Sequence, residues 1–123
     1  MAETQVLGDP VRSEPIPHAQ ALFRHLTESW HIERGATSSI TEMPMCPSYQ
    51  RIVGMGQVAV PLILIRLAEE GDEPDHWFWA LKAITGADPV PENARGDLVR
   101  MAQSWLQWGR ANGYANGANH DAR

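Results

Sequence analysis

Two apolar segments joined by an acidic link constrain this chain more than any other feature. They run from Arg51 to Val90 as RIVGMGQVAVPLILIRLAEEGDEPDHWFWALKAITGADPV. The first opens after Gly54-Met55-Gly56 and carries Leu62, Ile63, Leu64, Ile65 and Leu67. The second opens after Pro74-Asp75, gathers Trp77, Phe78, Trp79, Leu81 and Ile84, and stops at Gly86. Apolar side chains at nearly every helical angle leave no polar face for solvent, so both helices must bury most of their circumference. Pro61 fits only in a first turn, because a proline deeper in a helix costs roughly 3 kcal/mol. The segment reads as a helical hairpin, with Asp75 capping a second helix over 76–85. It sets the fold class and brings no catalytic signature.

The flanks extend the helical reading. Leu22, Leu26 and Trp30 recur at i, i+4 and i+8 beside Phe23, with Pro17 placed for a first turn and Gly35 for a C-cap, so a helix is predicted over about 18–34. Residues 36–46, ATSSITEMPMC, form a connection in which Met43 and Met45 are expected to fill the core. Pro47 restarts a helix with Tyr49, Ile52 and Val53 inside. After the proline-containing stretch 87–96, Asp97 caps a last helix whose Leu98, Met101, Trp105 and Trp108 form an inner stripe ended by Gly113. No segment alternates apolar and polar residues as a strand does. The expectation is a compact all-α domain of about five helices over 17–113, an extended polar arm over 1–16 anchored by Val6, Leu7, Val11 and Ile16, and a flexible tail over 114–123.

A chain of 123 residues with five Trp can build one core without staples, since each Trp buries on the order of 200 Å². The net charge of −5 offers no footprint for a phosphate backbone, which disfavours nucleic acid as a partner. Arg95, Arg100 and Arg110 do not share a stripe. One cysteine, Cys46, suits a reducing cytoplasm. The N-terminus lacks the basic and apolar regions of a secretory signal, and the run Val58 to Ile65 is far shorter than a membrane span, so a cytoplasmic protein with no membrane partner is expected.

Gly56, Ala59-Val60-Pro61, Leu62-Ile63, Leu67, Trp77, Ala80-Leu81 and Ile84-Thr85-Gly86 together resemble a HEAT-like helical repeat unit, over about a third of the chain. The resemblance implies a scaffold or binder, with no activity attached. Solenoids stack about three or more repeats; with one unit here, the first and last helices would act as its caps. The closing RGDLVRMAQSWLQWGRANG resembles the Trp-rich terminating helix that follows such repeats in small bacterial or phage proteins.

Few constellations carry chemistry. Glu28 and His31 share a helix face, as metal-ligating Glu-x-x-His pairs do, but the chain has no second such pair. His76 heads the Trp77-Phe78-Trp79 helix and would serve as a general base only with a partner that motif spacing does not supply. Cys46 precedes Pro47 at a helix start, where the helix dipole lowers a thiol pKa. Gly54-Met55-Gly56 lacks the strand and the Lys-Ser/Thr of a phosphate loop. No cofactor and no metal are implied. Glu69, Glu70, Asp72 and Glu73 are either a solvated loop or a docking surface for a basic partner. The reading is a non-enzymatic interaction module, an accessory or neutralising partner of the antitoxin or immunity kind, that binds another protein or a second copy of itself through His76, Trp77, Trp79 and these acids. The alternative is a small enzyme with a pocket around His76 and the Trp77-Phe78-Trp79 helix.

Overall fold

A computed structural model describes residues 17–35 and 42–114, and every regular element among them is helical. Helix α1 spans Pro17–Arg34, α2 Pro47–Gly54, α3 Ala59–Glu70, α4 Phe78–Thr85 and α5 Leu98–Ala111. Single 3₁₀ turns stand at Met43–Met45, Gly56–Val58 and Glu92–Ala94. The arm with Val6, Leu7, Val11 and Ile16, and residues 115–123, lie outside the described residues.

Local chemistry sets these limits. Pro17 and Pro47 start helices where a missing N–H costs nothing. Pro61 sits in the first turn of α3. Gly86 takes φ 76°, and its amide closes α4 onto the Lys82 carbonyl at 2.8 Å. The Asp97 carboxylate accepts from the Arg100 amide at the start of α5. The N-terminus of α2 has no cap of its own. Glu33 of α1 supplies one: Ser48 N donates to Oε1 at 3.0 Å and Ser48 Oγ to Oε2 at 2.7 Å. That carboxylate also places negative charge at the positive end of α2.

α3 is the central helix. Ala59, Val60, Leu62, Ile63, Leu64 and Leu67 are buried, because α1, α4 and α5 all pack around it. Where α5 crosses α3, Gly109 leaves room for Leu64; a Cβ on Gly109 would come within 2.7 Å of Leu64 Cδ1. The core gathers Phe23, Leu26 and Trp30 of α1, Tyr49 and Ile52 of α2, and Trp105 of α5 around it. Trp108 packs against this core half-buried and stacks on Tyr114, whose hydroxyl donates to Gln57 Oε1 at 2.8 Å. Tyr114, assigned by sequence to the tail, is therefore part of the domain.

The second half of the hairpin differs from its sequence reading. α4 begins at Phe78, two residues late, and Asp75 does not cap it. Asp75 instead accepts from the next amide, His76 N, at 2.8 Å. Within α4 only Ala80 and Leu81 are buried, so the expectation that most of the circumference is buried suits α3 and fails for α4. Trp77, just ahead of α4, supplies the missing bulk. Trp30 lies 4.9 Å from Tyr49 and 5.0 Å from Trp77 between ring centroids, with Phe23 5.5 Å from Trp77. Each polar tip in this cluster is used. Trp30 Nε1 donates to the Met43 carbonyl at 2.9 Å, and Trp77 Nε1 to Glu70 Oε2 at 3.2 Å. Tyr49 donates to the His76 carbonyl at 3.0 Å and accepts from Ala80 N at 2.9 Å. Burial pushes the Tyr49 phenol well above its ordinary pKa, so it stays a donor at any working pH.

Candidate functional site

An apolar groove of about 430 Å³ opens where three segments meet. The Met43–Met45 turn contributes Pro44 and Met45, the entry to α4 contributes His76, Phe78 and Trp79, and the start of α5 contributes Gly96, Leu98 and Met101. The volume falls within the ~300–1,000 Å³ of ligand-sized sites. Two of its walls are unusual for a small domain: Met45 is 64% exposed and Trp79 48% exposed. A side chain of Trp79's size left half in water forgoes a large apolar burial.

Local geometry explains this exposure. Residues two apart near a helix start point about 200° apart at 3.6 residues per turn. With Trp77 turned into the core, Trp79 must point out. Met45 was expected as a core filler; Pro44 takes the buried position, and Met45, between Pro44 and Pro47, turns outward. On α5 the buried line is Ala102, Trp105 and Gly109, rotated from the predicted stripe, which leaves Leu98 and Met101 half-buried and free to form the groove wall.

His76 is the one titratable side chain lining the groove, and its ring has no hydrogen-bond partner among the described residues. The neighbouring carboxylate is engaged elsewhere. Asp75 receives a two-point bond from Arg34, Nη1 to Oδ1 at 2.7 Å and Nη2 to Oδ2 at 3.2 Å, and lies 2.9 Å from His31 Nε2. Burial alone would raise the Asp75 carboxyl. The Arg34 hydrogen bond, the His76 amide, the Arg34 charge and His31 outweigh it and hold the group below its ordinary pKa. Arg34 is fixed in turn, its guanidinium 4.3 Å above the Trp30 ring. His31 is therefore tied to Asp75, a partner 44 residues away, rather than paired with Glu28.

The other residues singled out by sequence separate into distinct places. Trp77 is fully buried and does not line the groove. Glu70 is a structural clamp. Its Oε1 accepts from Asp75 N at 2.8 Å, its Oε2 accepts from Trp77 Nε1, and Arg66 stands 3.6 Å away. Glu69 borders a shallow cleft between α1 and α3 with Gln20 and Arg24. Asp72 and Glu73 are exposed on the turn before His76. Cys46 is the N-cap residue of α2, yet burial and the Glu33 charge push its thiol pKa up, against the lowering expected from a helix start. Glu33, already bonded to Ser48, has taken the place an anion would fill. Sequence reasoning missed Met45, Leu98 and Met101 as surface residues; the one available signal was Pro44 and Pro47 bracketing Met45.

The chain matches no known protein family, no curated protein and no solved structure. Among the described residues no single helix is long and apolar enough to cross a membrane.

Proposed function

We propose that the chain is a cytoplasmic, non-enzymatic interaction module that docks another protein through the Met45–Trp79 groove. We read α3 and α4 as a single HEAT-like unit that holds the groove open, and the role as that of an accessory or neutralising partner. The observation that carries this reading is the exposure of Met45 and Trp79 beside half-buried Leu98 and Met101. Together these line one apolar groove, whereas the other exposed large apolar side chains, Ile32 and Val58, lie outside it. Methionine walls re-pack around different side chains, which suits a docking surface. Catalysis at His76 has less support, because among the described residues no carboxylate bonds its ring and no nucleophile lines the groove beside it.

The test is a parallel purification of tagged wild type and a Met45→Ser/Trp79→Ser variant from the native host. A stoichiometric protein recovered with the wild type and lost with the variant, at equal melting temperature, supports the reading. Equal recovery by both proteins overturns it.

A further inference from the structure

We infer that the groove takes a basic amphipathic helix, a specification of partner chemistry that rests on the docking function proposed above. The walls determine the partner's backbone. Seven of the eight lining residues present apolar side chains or none, and the eighth is His76. No strand edge exists among the described residues. An extended peptide would find no ladder of main-chain partners here and would leave its own N–H and C=O groups unpaired on burial. A helix satisfies those groups internally and brings only an apolar stripe to the walls.

The rim determines the partner's charge. Asp97 lies between Gly96 and Leu98 of the groove wall, and Asp72 and Glu73 stand on the turn just before His76. All three are exposed and make no ion pair among the described residues. The basic side chains of the neighbouring segments are held by bonds within the fold, two of them to one shared carboxylate. Lys82 and Arg95 both pair with Asp88, at 3.5 and 3.0 Å, and Arg34 is held by Asp75. Arg100 turns back to the Asn93 carbonyl at 3.0 Å. Exposed acids in the segments that carry an apolar floor complement a helix with leucine-like residues on one face and Lys or Arg flanking it. The same acids repel other occupants. A second copy brings the same acids. Residues 1–16 of this chain carry Glu3, Asp9 and Glu14 against Arg12 alone.

Three synthetic helical peptides with one identical leucine stripe test this, with Lys, Gln or Glu on the flanks. Fluorescence anisotropy of each labelled peptide is read against the full chain. The Lys peptide is expected to bind about tenfold or more tighter than the Glu peptide, with the difference shrinking as salt shortens the Debye length. An Asp72→Asn/Glu73→Gln/Asp97→Asn variant keeps an N-cap at residue 97 and should lose only that preference. Trp79→Ser should weaken every peptide about tenfold or more, as removal of a central aromatic anchor does. If the Gln peptide binds as tightly as the Lys peptide and both need Trp79, the charge assignment falls while the docking groove stands. If the Lys peptide binds Trp79→Ser undiminished, the groove reading falls as well. Competition by a peptide of residues 1–16, or a dimer in sedimentation that Trp79→Ser dissolves, would replace the basic helix with the chain's own arm or a second copy.

Discussion

Trp77 and Trp79 stand two residues apart, and one is fully buried while the other is 48% exposed. Around Trp77 every polar atom has a partner: Glu70 for the indole, Tyr49 for the His76 carbonyl and the Ala80 amide, Met43 for Trp30. Around Trp79 the walls are methionine, leucine and phenylalanine, and the His76 ring is unpaired among the described residues. The first region has one arrangement that satisfies it. The second remains unsatisfied among the described residues. The same aromatic residue type thus fixes the fold at one position and leaves an exposed apolar surface at the other.

The largest expected effect lies on the Trp77 side. Trp77→Ala should cost roughly 3–5 kcal/mol in denaturant unfolding, since it empties a core site and removes the indole donor from Glu70 Oε2. A loss below about 1 kcal/mol would erase the contrast with Trp79, because that is the size of an ordinary surface change.

Tyr49→Phe comes next. It keeps the ring but leaves the Ala80 amide and the His76 carbonyl without their partner, at about 1–3 kcal/mol. A neutral result would mean that water replaces the hydroxyl and that the cluster is less closed than its geometry implies.

The Asp75 cluster adds a pH dependence. The folded pKa of Asp75 lies below its unfolded value. Its stabilisation is therefore full above the unfolded pKa and is lost as pH falls through the folded one, a window below about pH 5. Melting temperature should decline with acid over that window, and Asp75→Asn should start lower at neutral pH and decline less. Equal acid slopes in the two proteins would remove Asp75 from the account.

Gly109→Ala is a smaller test of core tightness. The methyl meets the buried Leu64 at close range, which opposes a helix-propensity gain of about 1 kcal/mol, and a net loss of up to about 1 kcal/mol is expected. A clear gain in stability would show slack between α3 and α5. Trp79→Ser should change stability least, within about 0.5 kcal/mol.

The fold was largely legible in the sequence because its punctuation is local. Pro17, Pro47, Pro61, Gly86 and Asp97 each act within one turn of where they stand, and the apolar run from Val58 to Ile65 demanded neighbours on most sides. The groove was not legible because its causes are distant in the chain. The Asp75–Trp77 entry is held by Arg34, Glu70 and Tyr49, which delays α4 and turns Trp79 outward. Glu33 reaches Ser48 across the Gly35–Cys46 connection, and no spacing rule announces that. An apolar run gives the amount of surface to be buried but not which Trp of a Trp-Phe-Trp triplet is buried.

The most direct test of the central claim follows the methionine methyl resonances as the Lys-flanked peptide is titrated into the full chain. Met45 and Met101 line the groove, whereas Met43 and Met55 do not. The account predicts that the Met45 and Met101 methyls shift in a saturable way and that Met43 and Met55 hold their positions. Saturable binding that moves Met43 and Met55 while leaving Met45 and Met101 unchanged would contradict it.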